Sequence, residues 1–128
     1  MAERYMRYVK SGITTVQTVY TAPNDGESVV GAADSVIIGL LVASTSATAG
    51  VLTVDLVDHA SAGGSAPKTI RLAHTIPLPA DTSVDIIPGK LVVQHALNDA
   101  GTPVLAGDKI NVTSSQTCDV TISVVERV

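Results

Sequence analysis

From Thr75 to the C-terminus, the sequence alternates short runs of β-branched residues with tight turns that contain Pro, Gly or Asp. This part includes TIPLPADTSVDIIPGKLVV and, after a polar break, VLAGDKINVTSSQTCDVTISVVERV. Runs of this kind, each bounded by turn residues, are typical of the strands of a small sandwich or barrel. No phosphate-binding loop or nucleophile motif separates them. The pattern therefore predicts a β-protein that works through a surface rather than through a catalytic centre.

The first half of the chain continues this pattern, and no long stretch has helical periodicity. We predict about eight strands, near 13–20, 35–45, 51–57, 68–76, 83–87, 91–94, 109–113 and 118–126. Strands at this spacing favour an all-β, antiparallel two-sheet sandwich that is jelly-roll-like. The run Val36–Ala43 is apolar at nearly every position, which predicts a central strand buried on both faces.

The composition agrees with this fold class. Val, Ile and Thr make up about a third of the chain, whereas Phe and Trp are absent and Tyr occurs only 3 times. β-Branched side chains suit a pleated, half-buried surface, so we expect a thin aliphatic core between two sheets. At 128 residues, the chain is long enough for one such domain. We assign residues 13–128 to this β-sandwich domain.

Residues 1–12, MAERYMRYVKSG, are predicted to form a separate N-terminal arm. Residues 1–10 carry three basic side chains against one acidic, so five basic and eleven acidic residues remain in the rest of the chain. This segment is either a frayed terminus or an arm that orders on contact with an acidic partner. In the second case its deletion should weaken attachment without changing the melting temperature of the sandwich. The proposed partner-binding residues are Arg4, Tyr5, Arg7, Tyr8 and Lys10.

Charge and hydropathy limit the partners. A net charge of −4 disfavours nucleic-acid binding, which needs a basic surface. No apolar run approaches the roughly 20 residues of a membrane-spanning helix, and the start lacks the apolar stretch of a signal peptide. We therefore expect a soluble protein made in the cytoplasm, with neither nucleic acid nor membrane as a partner.

The titratable residues do not form a recognisable catalytic or metal-binding motif. Asp55, Asp58 and His59 are the densest group, but their spacing matches no established metal-ligand pattern. His74 falls on the predicted apolar face of its strand, where a half-buried, hydrogen-bonded role is expected. Cys118, the only cysteine, shares a face with Val120 and its alternate neighbours, which predicts a buried thiol. We expect no catalytic residues, no metal and no cofactor.

Three segments resemble small structural proteins of tailed bacteriophages: VYTAPNDGESVV (19–30), TIPLPADTSVDIIPGKLVV (75–93) and VLAGDKINVTSSQTCDVTISVVE (104–126). In that group, a strand ending in Y-T-A-P precedes a P-A-D-T/S corner, a G-K-L-V-V strand, an L-x-A-G-D-x-I/L turn and a closing strand ending in V-x-E. The turn is one residue shorter here, at residues 105–108. No catalytic residues carry over from this resemblance.

The resemblance implies a virion component, first of all a head decoration, or cement, protein on the capsid surface. Its expected partners are the major capsid protein and further copies of itself, as a homotrimer. Two alternatives stay open: a neck or tail component of the virion, and a glycan-binding adhesin module. The second is disfavoured because sugar sites commonly use aromatic platforms, and Tyr20 is the only aromatic residue beyond the arm.

Overall fold

The computed structural model describes residues 3–23, 34–58, 68–87, 89–94, 98–99, 102–103 and 107–127. Over these ranges the protein is all-β, and its strands lie in two antiparallel sheets, which confirms the predicted class. The strands are β1 (Glu3–Ile13), β2 (Gln17–Thr21), β3 (Asp34–Ser44), β4 (Gly50–Asp58), β5 (Lys68–Leu78), β6 (Ser83–Asp85), β7 (Leu91–Gln94), β8 (Asn98–Asp99), β9 (Thr102–Pro103), β10 (Lys109–Ser114) and β11 (Cys118–Arg127).

The strand order is that of a jelly roll. Sheet A has the order β1-β11-β3-β6, and β7 pairs with β3 beside β6. Sheet B has the order β2-β10-β4-β5, and β8 pairs with β9 in a separate hairpin. If β6 and β7 are counted as one interrupted strand, the two sheets contain the eight strands of a double Greek key. The chain passes repeatedly from one sheet to the other, with β4 and β5 as consecutive neighbours in sheet B, so it winds around a single core.

The core is a thin aliphatic layer between the sheets. Its largest fully buried side chains include Ile37 and Leu40 of β3, Leu52 of β4, Ile110 of β10 and Ile122 of β11. On β11 every second residue from Cys118 to Val124 is buried, so the predicted orientation of the thiol is confirmed. Burial raises the pKa of Cys118, which keeps it a neutral thiol that packs as a small apolar group.

The first strand begins earlier than the sequence predicts. Glu3–Ile13 form β1, which pairs with β11 from Glu3 opposite Arg127 to Ile13 opposite Cys118. Residues 14–16 then carry the chain to sheet B, where β2 starts at Gln17. The segment has few apolar neighbours in sequence, but in the fold it lies beside β11 and uses that strand's free edge.

Strand β5 departs from simple alternation, and this corrects the prediction for His74. Register shifts in the β4–β5 pair place Ala73 opposite Val54, so the inward positions no longer follow every second residue. His74 is therefore exposed instead of half-buried, although it does accept a hydrogen bond from Arg71 (Nη1–Nδ1 2.7 Å). Bulges of this kind are common on edge strands, and β5 is an edge of sheet B.

Candidate functional site

Strand β1 divides the predicted partner-binding residues into two groups. Arg4 and Tyr8 lie on its inward side, where both contact the carboxylate of Glu126 on β11. Tyr5 and Arg7 lie on the other side of the strand, on the outer face of sheet A, and both are exposed. Lys10 is also exposed but is paired with the buried Val120, so it lies on the inward side at the edge of the sandwich.

Glu126 is the centre of a buried polar cluster. Its side chain is only 2% exposed, and Oε1 accepts hydrogen bonds from Arg4 at 2.7 Å (Nη2) and 3.1 Å (Nε). Oε2 accepts hydrogen bonds from the hydroxyl groups of Tyr8 at 3.0 Å and Tyr20 at 2.8 Å. The Tyr20 hydroxyl also lies 2.8 Å from Ser35 Oγ, and the two tyrosine rings are 5.2 Å apart between centroids. We call these five residues the Glu126 cluster.

The cluster determines the charge of its members. Burial alone would raise the pKa of Glu126, but the hydrogen bonds from Tyr20, Arg4 and Tyr8 outweigh burial and lower its pKa below the ordinary value. Burial and the neighbouring carboxylate raise the pKa of both Tyr8 and Tyr20, so both hydroxyls stay protonated donors. Glu126 is therefore ionised at neutral pH and is paired with the Arg4 guanidinium.

The Glu126 cluster joins β1, β2, β3 and β11, and therefore joins both sheets. It has the character of a structural anchor, because the Arg4 guanidinium and both tyrosine hydroxyls converge on one ionised carboxylate while Ser35 contacts the Tyr20 hydroxyl. Sequence reasoning missed it, although a signal was present. The alternation Cys118, Val120, Ile122, Val124 extends to Glu126 and places that carboxylate on the buried face.

The outer face of sheet A carries an apolar row across four strands. Tyr5 of β1 pairs with Val125 of β11, Val125 with Val36 of β3, and Val36 with Val92 of β7. Tyr5 is 75% exposed and Val92 is 55% exposed, while the two central valines are half-buried by their neighbours. The four side chains therefore form a continuous apolar strip on the surface.

Further apolar residues extend this strip towards the other end of the sheet. Ile38 and Leu41 of β3 are each 44% exposed, and Val9 of β1 is 68% exposed. The sequence predicts that β3 is central and buried on both faces. It is central, between β11 and the β6–β7 pair. Only its inner face is buried within the single chain, because Ile38 and Leu41 on its outer face are exposed.

The outer face of sheet B has the opposite character. Its central row is Thr18, Asn111, Asp55 and Arg71, paired in that order across the four strands. Thr18 donates a hydrogen bond to Asn111 (2.7 Å), and Arg71 forms an ion pair with Asp55 (3.3 Å). These polar groups interact with one another and with solvent, so this face needs no protein partner to cover it.

The remaining candidates have structural contacts or lie outside the described residues. Asp55, which the sequence groups with Asp58 and His59, is paired with Arg71 instead. His59 falls outside the described ranges. Among the residues that the structure describes, no three His, Cys, Asp or Glu side chains form a group that could hold a metal ion. Asp81 has a positive φ of 54°, a conformation that Asp tolerates in turns.

The fold is similar to that of solved VP2 structures of infectious bursal disease virus. A mutant VP2 protein in derived T=1 particles matches 98% of this chain with a TM-score of 0.54 and 16% identity, and the match covers 32% of that chain. The VP2 subviral particle matches with a TM-score of 0.52 and 15% identity over 98% of this chain and 33% of the other. At such identities the likeness is one of fold. This chain spans about a third of the length of those proteins.

No protein-family model and no curated protein matches the sequence. Within the described ranges, no helix is long and apolar enough to cross a lipid bilayer.

Proposed function

We propose that this protein is a non-enzymatic structural component of a virion, and specifically a decoration protein that cements the outer surface of a capsid. The observation that carries the proposal is the complete jelly roll, which is similar in fold to a protein that forms viral particles. The sequence resemblance to structural proteins of tailed phages supports the same role independently. The proposed location is the capsid surface, after synthesis in the host cytoplasm, and no cofactor is needed.

The proposed attachment surface is the free edge of β1. This strand is the margin of sheet A, so one side of its backbone has no strand partner in that sheet among the residues that the structure describes. Arg7 on one side of the strand and Lys10 on the other place positive charge along this margin, and Tyr5 adds an exposed aromatic ring. A basic edge on an otherwise acidic protein fits an acidic surface of the major capsid protein. Arg4 and Tyr8 serve this surface indirectly, because they hold β1 against Glu126.

On the shell we propose a trimer, as the resemblance implies. Cementing adds interface area between capsid subunits, and many repeated copies multiply a small gain per copy. A compact aliphatic sandwich with few charged groups in its core suits a part that must persist in an assembled particle.

The role is tested by mass spectrometry of particles purified from a culture that carries the gene, and by co-sedimentation of the purified protein with shells that lack it. We expect the protein in the particles and saturable binding to the shells. Absence from particles together with no binding to shells would refute a virion role. Binding to a glycan array instead would favour an adhesin module.

The attachment surface is tested with Lys10→Glu, which reverses one charge on the β1 edge without changing the outer face of sheet A. We expect shell binding to weaken several-fold, and more strongly at low salt, because exposed charges steer association. Lys90→Glu is the matched control, since Lys90 is an exposed lysine that precedes β7 at the other margin of the sheet. Equal binding by both variants and the unmodified protein would show that β1 is not the attachment edge.

A further inference from the structure

We infer that the outer face of sheet A packs against the same face of a second copy of this chain, as a twofold pair. This inference goes beyond the proposed function and does not depend on it, since it concerns the free protein in solution. The pair separates before Tyr5 and Arg7 contact a shell and before the trimer forms there.

The first argument is the distribution of polar and apolar groups on that face. The middle of the face presents Val36, Ile38 and Leu41. Its charged residues lie around the margin: Arg7 on β1, Asp85 on β6, and Asp34 and Asp119 at the ends of β3 and β11. An apolar centre depleted of charge inside a charged rim is the anatomy of a protein–protein interface. The outer face of sheet B, in the same molecule, has the ion pair of Asp55 and Arg71 in its central row. The difference between the faces therefore distinguishes an interface from a solvent-facing surface.

The second argument is area. Sheet A is four strand positions wide. At about 4.8 Å between strands and about 30 Å along them, its face covers roughly 600 Å², or roughly 1,200 Å² for two copies. Specific interfaces begin at about that total. Apolar faces of two sheets also pack readily, typically about 10 Å apart.

The third argument is complementarity, which selects a second copy as the occupant. If the twofold axis runs along the strands, β1 of one copy lies over the β6–β7 margin of the other. Tyr5 and Val92 are the two ends of the apolar row, so each Tyr5 then covers the other copy's Val92. Arg7 on β1 faces the margin that carries Asp85 on β6. The same contacts occur twice, as a twofold interface requires.

The inference is tested by sedimentation equilibrium of the full chain between about 1 and 100 µM. We expect a monomer–dimer equilibrium, and we expect Leu41→Asp to weaken dimerisation by at least about 30-fold, as for a residue at the centre of an interface. Val51→Asp on sheet B is the matched control, because Val51 has the same 44% exposure as Leu41. A protein that is monomeric throughout, or trimeric, would overturn the inference, and so would equal effects of the two variants.

A charge exchange tests the orientation with variants outside the central strands. Arg7→Asp and Asp85→Arg should each weaken the dimer, and the double variant should restore most of the lost affinity. Additive losses in the double variant would overturn the proposed pairing of the two margins. Shell binding by a monomeric Leu41→Asp variant would keep the virion role intact, so the two proposals can fail separately.

Discussion

Glu126 is the residue on which the structure depends most sharply, because its ionised carboxylate is only 2% exposed and has partners on β1 and β2. Glu126→Ala removes the carboxylate that accepts hydrogen bonds from the Arg4 guanidinium and from two tyrosine hydroxyls. We expect the free energy of unfolding to fall by about 3 kcal/mol, the scale for breaking a buried pair, as measured by denaturant titration. Glu3→Ala, at an exposed position on the partner strand, should change it little. Equal stability of both variants would contradict the anchor role.

The same residue predicts a pH dependence. The pKa of Glu126 is lowered in the folded protein, so its stabilising contribution is complete above the unfolded-state pKa of about 4.3 and is lost as the pH falls through the lowered value. We expect the unmodified protein to lose more stability between about pH 6 and pH 3 than Glu126→Gln, which cannot titrate at this position. Thermal unfolding of both proteins across this range measures the difference. If the melting temperatures of the two proteins change with pH in the same way, ionisation of Glu126 does not stabilise the fold.

At the scale of elements, the β1–β11 pair changes the outcome expected from truncation. The sequence predicts that removal of residues 1–12 leaves the melting temperature nearly unchanged, whereas the structure shows Glu3–Ile13 paired along β11. Removing residues 1–11 also takes Arg4 away from the buried Glu126. We expect a loss of at least about 3 kcal/mol, or roughly 10 °C in melting temperature. Lys10→Glu, which keeps the strand, should melt near the unmodified protein. If the truncated chain also melts at the temperature of the unmodified protein, β1 contributes no stability.

The turn between β10 and β11 packs closely on the start of β4. A Cβ atom at Gly50 would lie 2.7 Å from Ser115 Oγ and 2.8 Å from Gln116 Cγ, which is closer than van der Waals contact. Ser115 Oγ also accepts a hydrogen bond from the Val51 amide at 2.9 Å, so the turn cannot move away freely. We expect Gly50→Ala to cost about 1–3 kcal/mol in calorimetry. Gly39→Ala, where a Cβ meets nothing within 4 Å, should be nearly neutral.

At the scale of the whole molecule, the sequence predicts the features that follow from strict alternation of inward and outward side chains. The two-sheet class, the central position of β3 and the inward thiol of Cys118 all follow from runs of β-branched residues bounded by turns. Alternation could not predict β1, whose polar sequence forms a strand because β11 offers it an edge. It also failed at β5, where register shifts move His74 outward.

The candidate site was predictable only in part. The basic residues of β1 stand out by charge, so a docking role for Arg4, Arg7 and Lys10 could be proposed from the sequence alone, and that role stays a prediction. The partners of Arg4 and Tyr8 could not, because the contact with Glu126 joins residues more than a hundred positions apart in the chain. The apolar row on sheet A depends likewise on the register of four strands.

The register of β1 on β11 also brings the two ends of the described chain close together. Glu3 and Arg127 are direct partners across β1 and β11, so the two ends of the described chain lie about 5 Å apart. A peptide linker of a few residues between them would close the backbone into a ring without bending the native sheet. In the unfolded state, the same closure would remove end-to-end freedom worth up to about 5 kcal/mol in the chain-entropy model. A circular form should therefore have a higher melting temperature than the linear protein, while its surfaces stay unchanged.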